Sequence, residues 1–269
     1  MRTLWTIPFS HYCERARWAL DRAGVTYVER PYLPFLHMAP VALASSAATR
    51  RADRTSSPLS VPLLRLDDGT RLHDSAAILA WAATHAGWSG FAGDAAAQEL
   101  ERTAAERIGP ATRLFAYHGL LQDPALIDAV VRHNVGPAQL LAARASRPLF
   151  VAAMRRALRI DATRAAKARD RIEHFADDVD ARLADGRPWL GGERFGSVDL
   201  SVAALAAPAL VIRPDEGYGA WMPTLDALPP ANAALARALR ERPIGGLILR
   251  AFATERRAAG GARAATASA

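Results

Sequence analysis

The chain contains one cysteine, Cys13, and one lysine, Lys167. A lone cysteine excludes an intramolecular disulfide and any metal site built from thiolates alone. With so little lysine, the excess of 34 Lys+Arg over 27 Asp+Glu (formal net charge +7, pI near 10.4) is an arginine excess. No dense basic block interleaved with aromatics is present. The charge therefore reads as arginines mixed among acids, and no nucleic-acid partner is expected. Long apolar runs are missing as well. The longest, residues 200–212, follows Asp199 and is interrupted by Pro208, so it is too short for a bilayer and suits a buried core helix. The N-terminus has no long apolar segment followed by a small-residue cleavage site, so no signal peptide is expected. A reducing, cytoplasmic setting without a membrane partner is the resulting expectation, and no internal repeat is found.

What is there is an ordinary globular composition, with 269 residues, 51% hydrophobic and 23% charged, enough for one large core or two modest ones. Residues 3–7 read as a strand, 11–23 as an amphipathic helix ended by Gly24, and 26–32 as a strand. Residues 33–60 are poorly periodic, a loop with one irregular helix. An apolar strand over 61–66 meets a hairpin signal, Asp67-Asp68-Gly69, and returns over 71–73. Asp74-Ser75 then opens a helix to about His85. The order β-α-β-loop-β-β-α predicts a small mixed sheet with helices against it. Past a Gly-rich break at 87–93 the pattern is helical from 95 to 182, interrupted at Gly109-Pro110, Asp123-Pro124 and Gly136-Pro137. A helix over 198–211, a Pro-rich segment over 214–230 and a last helix near 232–241 follow. The switch in composition near residue 90 predicts an α/β domain over 1–86 and an all-α domain over 93–250, with a disordered tail over 256–269.

Ser10 stands at the mouth of the first helix, with Cys13 one turn inside it. The first turn of a helix has unpaired N–H groups and a partial positive charge, which stabilise an anion. A hydroxyl or thiol at that spot can hold or become a thiolate. Asp74-Ser75 is either a simple N-cap or an anion site at a helix N-terminus. His11 and Cys13 are too few for a metal site, and no metal is expected.

Four segments then carry a resemblance, in chain order. Ser10-x-x-Cys13 resembles the active-site turn of the thioredoxin and glutaredoxin fold, and Val61-Pro62-Leu63-Leu64 the strand bearing that fold's cis-proline. Asp74-Ser75 resembles the acid-Ser motif opening the next helix in glutathione S-transferases. Arg187-Pro188-Trp189-Leu190-Gly191-Gly192 with Val198-Asp199-Leu200-Ser201 is similar to the hallmark of that family's helical domain. The resemblance spans roughly residues 1–250. It implies a thioredoxin-like N-terminal domain, a helical-bundle C-terminal domain, and conjugation of glutathione to a small hydrophobic electrophile in detoxification, by a homodimer.

In that reading Ser10 donates a hydrogen bond to the glutathione sulfur, Val61 and Pro62 present backbone to its cysteinyl unit, and Asp74 and Ser75 hold its γ-glutamyl end. His37, Arg50 and Arg51 are candidates for the glycyl end. Cys13 is the rival catalytic residue, in a glutathione-dependent thiol reductase, or else a buried structural thiol. A non-catalytic binding or scaffold protein of the same fold is the third alternative. Asp199 is expected to hydrogen-bond backbone amides, although Gly196 stands where the family usually has Ser or Thr. Phe9, Phe35, Phe115, Tyr117, His118 and Trp221 are candidate walls of the electrophile pocket.

Overall fold

The computed structural model describes residues 1–45 and 59–259. Strand β1 (Thr3–Thr6) organises a four-stranded sheet of order β2-β1-β3-β4. It pairs parallel with β2 (Val28–Pro31) and antiparallel with β3 (Leu63–Arg65), which pairs antiparallel with β4 (Arg71–His73). A parallel neighbour requires a crossover, here helix α1 (His11–Arg22). Leu4 and Leu64 face each other in the β1–β3 register and are fully buried.

Helix α1 starts where Ser10, in extended conformation, accepts the Cys13 N–H with its side chain at 3.5 Å. It ends where Gly24 takes a positive φ of 66°. Helix α2 (Met38–Ala44) lies in the stretch over 33–60 expected to hold an irregular helix, of which residues 46–58 lie outside the described residues, and α3 (Ser75–His85) packs against α1.

In the helical part, α4 (Ala95–Thr103) runs through a π-turn at Ala104–Ile108 into α5 (Gly109–Leu120). Then follow α6 (Pro124–Asn134), α7 (Pro137–Ala145), α8 (Arg147–Ala157) and the long α9 (Ala162–Leu183). The centre is α10 (Ser197–Leu210), in which every residue but Pro208 is buried, as a helix apolar on all sides requires. It packs on α1, α5 and the later helices α11 (Pro230–Arg240) and α12 (Pro243–Ala251). Asp199 sits in its first turn. One carboxylate oxygen accepts Leu190 N–H at 2.7 Å and the other the N–H of Gly196, the cap residue, at 2.9 Å, which ties the start of α10 to the preceding loop. The α/β layer followed by a helical bundle is the fold class expected from the sequence. Among the described residues no helix is long and apolar enough to cross a membrane.

Two expectations are corrected. The chain does not end its order at a helix near 232–241, since α12 follows, then a π-turn at Phe252–Arg256 and a short α13 (Arg257–Ala259). The tail assigned to disorder from residue 256 is therefore helical through Ala259, because it has a buried role; residues 260–269 of that tail lie outside the described residues.

That role is electrostatic. Glu14, Arg17, Asp21 and Arg256 are all buried. Arg256 donates to Glu14 at 2.7 Å and to Asp21 at 2.8 Å, while Arg17 donates to Glu14 at 3.0 Å, to Glu29 at 2.8 Å and to the Pro8 carbonyl at 2.7 Å. Tyr27 donates to the remaining oxygen of Asp21 at 2.9 Å, and Thr6 to Glu29 at 2.7 Å. Burial alone would raise the Glu14 carboxyl, but Arg256 and Arg17 hold it down to about 2. Burying charge is costly unless it is paired, so each member is needed to keep the others.

Replacing Arg256 with Met is expected to cost about 3–5 kcal/mol in urea unfolding, because it strands Glu14 and Asp21 as buried anions. The depressed value of Glu14 contributes stability that is fully present above its ordinary 4.5 and lost as pH falls toward about 2. Urea midpoints measured down that range are expected to decline steeply in the native chain and more shallowly in Glu14→Gln.

Candidate functional site

A cavity of about 370 Å³ opens where the start of α1 and the end of the sheet face α5 and the helices around it. Ser10, Val61 and His37 all line it. Ser10 is half-buried; as the cap of α1 it places its hydroxyl among that helix's first N–H groups. The Val61–Pro62 bond is cis, and β3 pairing begins only at Leu63, so among the described residues neither main-chain polar group of Val61 has a partner. His37 precedes α2, with Nδ1 3.4 Å from the Leu33 carbonyl, and burial lowers its pKa.

Asp74 and Ser75 lie next to this wall without lining the cavity. Asp74 N–H donates to the Pro62 carbonyl at 3.2 Å, which fastens the start of α3 to the strand. Asp74 has φ of 75°, a left-handed conformation uncommon for a residue with a Cβ, and its carboxylate accepts the Ala76 N–H. Ser75 is buried at the first position of the helix. Arg50 and Arg51 fall outside the described residues.

Cys13 is another matter. It is fully buried, its sulfur accepts the Ile7 N–H at 3.4 Å, and burial pushes its thiol up to about 11, against the opposing pull of Arg17. A reactive cysteine needs exposure and a lowered pKa, and Cys13 has neither. Of the expected walls, Phe9, Phe35 and Tyr117 line the cavity. The other three do not. Phe115 is in the core, His118 is held by the Gln122 amide at 2.8 Å through its carbonyl, and Trp221 stacks on His133 with ring centroids 4.3 Å apart. Spacing along the sequence could not separate them, because Phe115 lies on the opposite side of α5 from Arg113 and Tyr117.

Several residues of the site were not assigned to it from the sequence, where His11 was weighed only with Cys13 as too few for a metal. His11 bonds the Gly109 carbonyl through Nε2 at 3.0 Å; a carbonyl only accepts, so Nε2 carries the proton. Burial, helped by Arg113, drives His11 down to about 3 and keeps the ring neutral. Burial raises Tyr12 to about 12. The Tyr12 ring lies directly over Gly109, where an added Cβ would come within 2.5 Å of its hydroxyl. Arg113, one turn along α5, places its guanidinium carbon 5.7 Å from the Tyr12 ring centroid and also lines the cavity. The readable signal was the break at Gly109-Pro110, which marks the backbone approach to α1 rather than only a helix start. Among the described residues no group of three His, Cys, Asp or Glu side chains could hold a metal ion.

Comparison with known proteins gives these features a context. Residues 9–85 match the family model described as Glutathione S-transferase, N-terminal domain. No curated protein matches the chain in sequence. Among solved structures it is similar to glutathione transferase F2 from Populus trichocarpa, with TM-score 0.52 and 14% identity over 93% of this chain and 98% of that one. It is also similar to the theta class glutathione S-transferase from the citrus canker pathogen Xanthomonas axonopodis pv. citri, which was solved with glutathione bound. There the TM-score is 0.50 and the identity 20%, over 94% of this chain and 97% of that one. A glutathione S-transferase from Xanthobacter autotrophicus Py2 matches with TM-score 0.50 and 19% identity over 100% and 98% of the two chains. The architecture is thus the glutathione S-transferase fold, with a thioredoxin-like N-terminal layer.

Substituting Gly109 with Ala is expected to displace the Tyr12 ring, since a rigid phenol cannot step aside as a flexible chain end would. A loss of about 1–3 kcal/mol in thermal or urea unfolding is expected. Adding Tyr12→Leu to Gly109→Ala is expected to recover most of it, and the double-mutant cycle measures the contact.

Proposed function

We propose that the protein is a glutathione transferase in which Ser10 activates the glutathione thiol for attack on a hydrophobic electrophile. The observation that carries this reading is the convergence on one cavity of the Ser10 hydroxyl at a helix N-terminus and the unpartnered main chain of Val61. The cysteinyl unit of glutathione would extend the sheet edge at Val61 as a short strand. This leaves its sulfur toward Ser10, and Asp74 and Ser75 take the γ-glutamyl end at the start of α3. His37 is the described residue on the glycyl side. In this reading residues 1–86 hold the tripeptide and residues 93–250 supply the walls for the second substrate.

The chemistry requires little. A free thiol has a pKa of about 8.5, so only a few per cent is thiolate at neutral pH. Lowering it by about two units requires about 2.7 kcal/mol of preference for the anion. A hydrogen bond donated by the Ser10 hydroxyl to sulfur, together with the N–H groups of the first turn, is of that order. Ser10 Oγ currently accepts from Cys13 N–H, and its own proton remains available to donate to a ligand. The thiol-reductase alternative is disfavoured by the burial and raised pKa of Cys13.

Calorimetric titration of glutathione, followed by thiolate ultraviolet absorbance of the complex across pH, tests the reading. The bound thiol is expected to ionise near pH 6.5, about two units below the free value. Ser10→Ala is expected to bind glutathione within about threefold of the native chain. Its bound thiol should titrate about two units higher, and its turnover of an activated aryl halide should fall about 100-fold. Cys13→Ser should leave turnover nearly unchanged. Absence of glutathione binding at millimolar concentration, or an unshifted thiol, would overturn the assignment.

A further inference from the structure

Among the described residues Arg113 is a half-buried cation without a counter-ion, in a cavity whose lining is mostly apolar. The buried arginines of this protein are paired: Arg15 with Glu101, Arg17 with Glu14 and Glu29, Arg256 with Glu14 and Asp21. Among the described residues Arg113 has neither a carboxylate within ion-pair distance nor a hydrogen-bond acceptor; it lies over the face of the Tyr12 ring, and its charge also reaches His11 and Tyr117. A ring face attracts the cation but leaves all five N–H donors unused.

The placement is specific. Gly109 is anchored to His11, so the next turns of α5 present Arg113, Ala116, Tyr117 and Leu120 to the cavity, a spacing of three and four that keeps one helical face. Arg113 is thereby fixed beside the start of α1, at the end of the cavity where Ser10 lies. Tyr117, one turn further, has a phenol with no hydrogen-bond partner among the described residues and is a second donor on the same face. Ser10, His11, Tyr12, His37, Ser60 and Asn232 also line the cavity, and the rest of its walls are apolar, Phe35, Leu126, Val130, Met154, Leu158 and Val211 among them. A cavity of this size with an apolar body and a few converging donors is the form of a small-molecule site.

We propose that the second substrate is a hydrophobic monoanion, its carboxylate paired with Arg113 and Tyr117 and its apolar body against the walls between Phe35 and Met154. The planar guanidinium matches a carboxylate through two parallel hydrogen bonds, a geometry that an ammonium cannot reproduce. Taking the acid gives Arg113 the kind of carboxylate partner that Arg15, Arg17 and Arg256 already have. The proposal rests on the reading of this cavity as the pocket for the second substrate, yet binding alone can test it. Glutathione also carries carboxylates, so the experiment must separate the two sources.

Naphthylacetate and its uncharged isostere naphthylacetamide are titrated calorimetrically into the native chain, Arg113→Met and Arg113→Lys, and glutathione is titrated into each separately. The native chain is expected to bind the acid about 10- to 100-fold more tightly than the amide, the value of a charge-assisted pair. Arg113→Met should abolish that preference while leaving amide affinity unchanged, because its side chain keeps the apolar stem. Arg113→Lys should recover only part of the preference. Equal affinity of the native chain for acid and amide, or binding of neither, overturns the proposal whether or not the variants fold. So does an Arg113→Met variant that loses glutathione but keeps its preference for the acid, since the cation would then serve the tripeptide. Acid preference in a chain that binds no glutathione would sustain this inference while removing the transferase reading, so the two fail separately.

Discussion

The four buried charges of Glu14, Arg17, Asp21 and Arg256 are the constraint on which the rest of the molecule depends. Glu14, Arg17 and Asp21 lie along α1, the helix that packs on α10, and Arg256 reaches them from the π-turn at Phe252–Arg256. No apolar helix could make these connections, because Arg17 ties α1 to β2 through Glu29 and to the loop before Ser10 through the Pro8 carbonyl. The loop that positions Ser10 is thus held from below by a guanidinium. Arg256 closes the arrangement from 242 residues away in the chain. The last helical turns are therefore part of the N-terminal layer in energetic terms, although they are distant from it in sequence. During synthesis α1 remains without Arg256 until the helical layer that precedes it in the chain has been made.

A second layer of order is built from backbone proximity. Gly109 permits the Tyr12 ring to lie on α5, and its carbonyl fixes His11. Asp74 N–H joins α3 to the Pro62 carbonyl. The hydroxyl of Ser10, the main chain of Val61 and the cation of Arg113 come from three elements that share no contact in sequence. Each is set by a different local device: a helix cap, a strand end and a helical face.

Much of this was legible beforehand. Alternation of short apolar runs with a hairpin signal at Asp67-Asp68-Gly69 identified the sheet, and the unbroken apolar stretch after Asp199 identified the central helix. The cap at Ser10 and the Asp199 contacts with backbone amides followed from residue type and position. What escaped were features that local pattern does not carry. A buried guanidinium such as Arg256 looks in sequence like any polar residue of a terminal tail, so the helical end was taken for disorder. Phe115 and Tyr117 are two residues apart and point to different environments, one into the core and one into the cavity. Arg113 is one arginine among many, and what distinguishes it is its place on the cavity wall with no acidic partner among the described residues. Partnership across distant segments is decided by tertiary packing, which composition and periodicity cannot report.

The two histidines and two tyrosines that line the cavity have all been moved away from neutrality. His11 and His37 are lowered, while Tyr12 and Tyr117 are raised, in each case chiefly by burial. His11, Tyr12 and Tyr117 therefore stay uncharged across the physiological range, beside the guanidinium of Arg113 as a fixed pole. An occupant that ionises near neutral pH beside these three rings does so against groups whose own protons stay in place, and its titration is read there without interference from them.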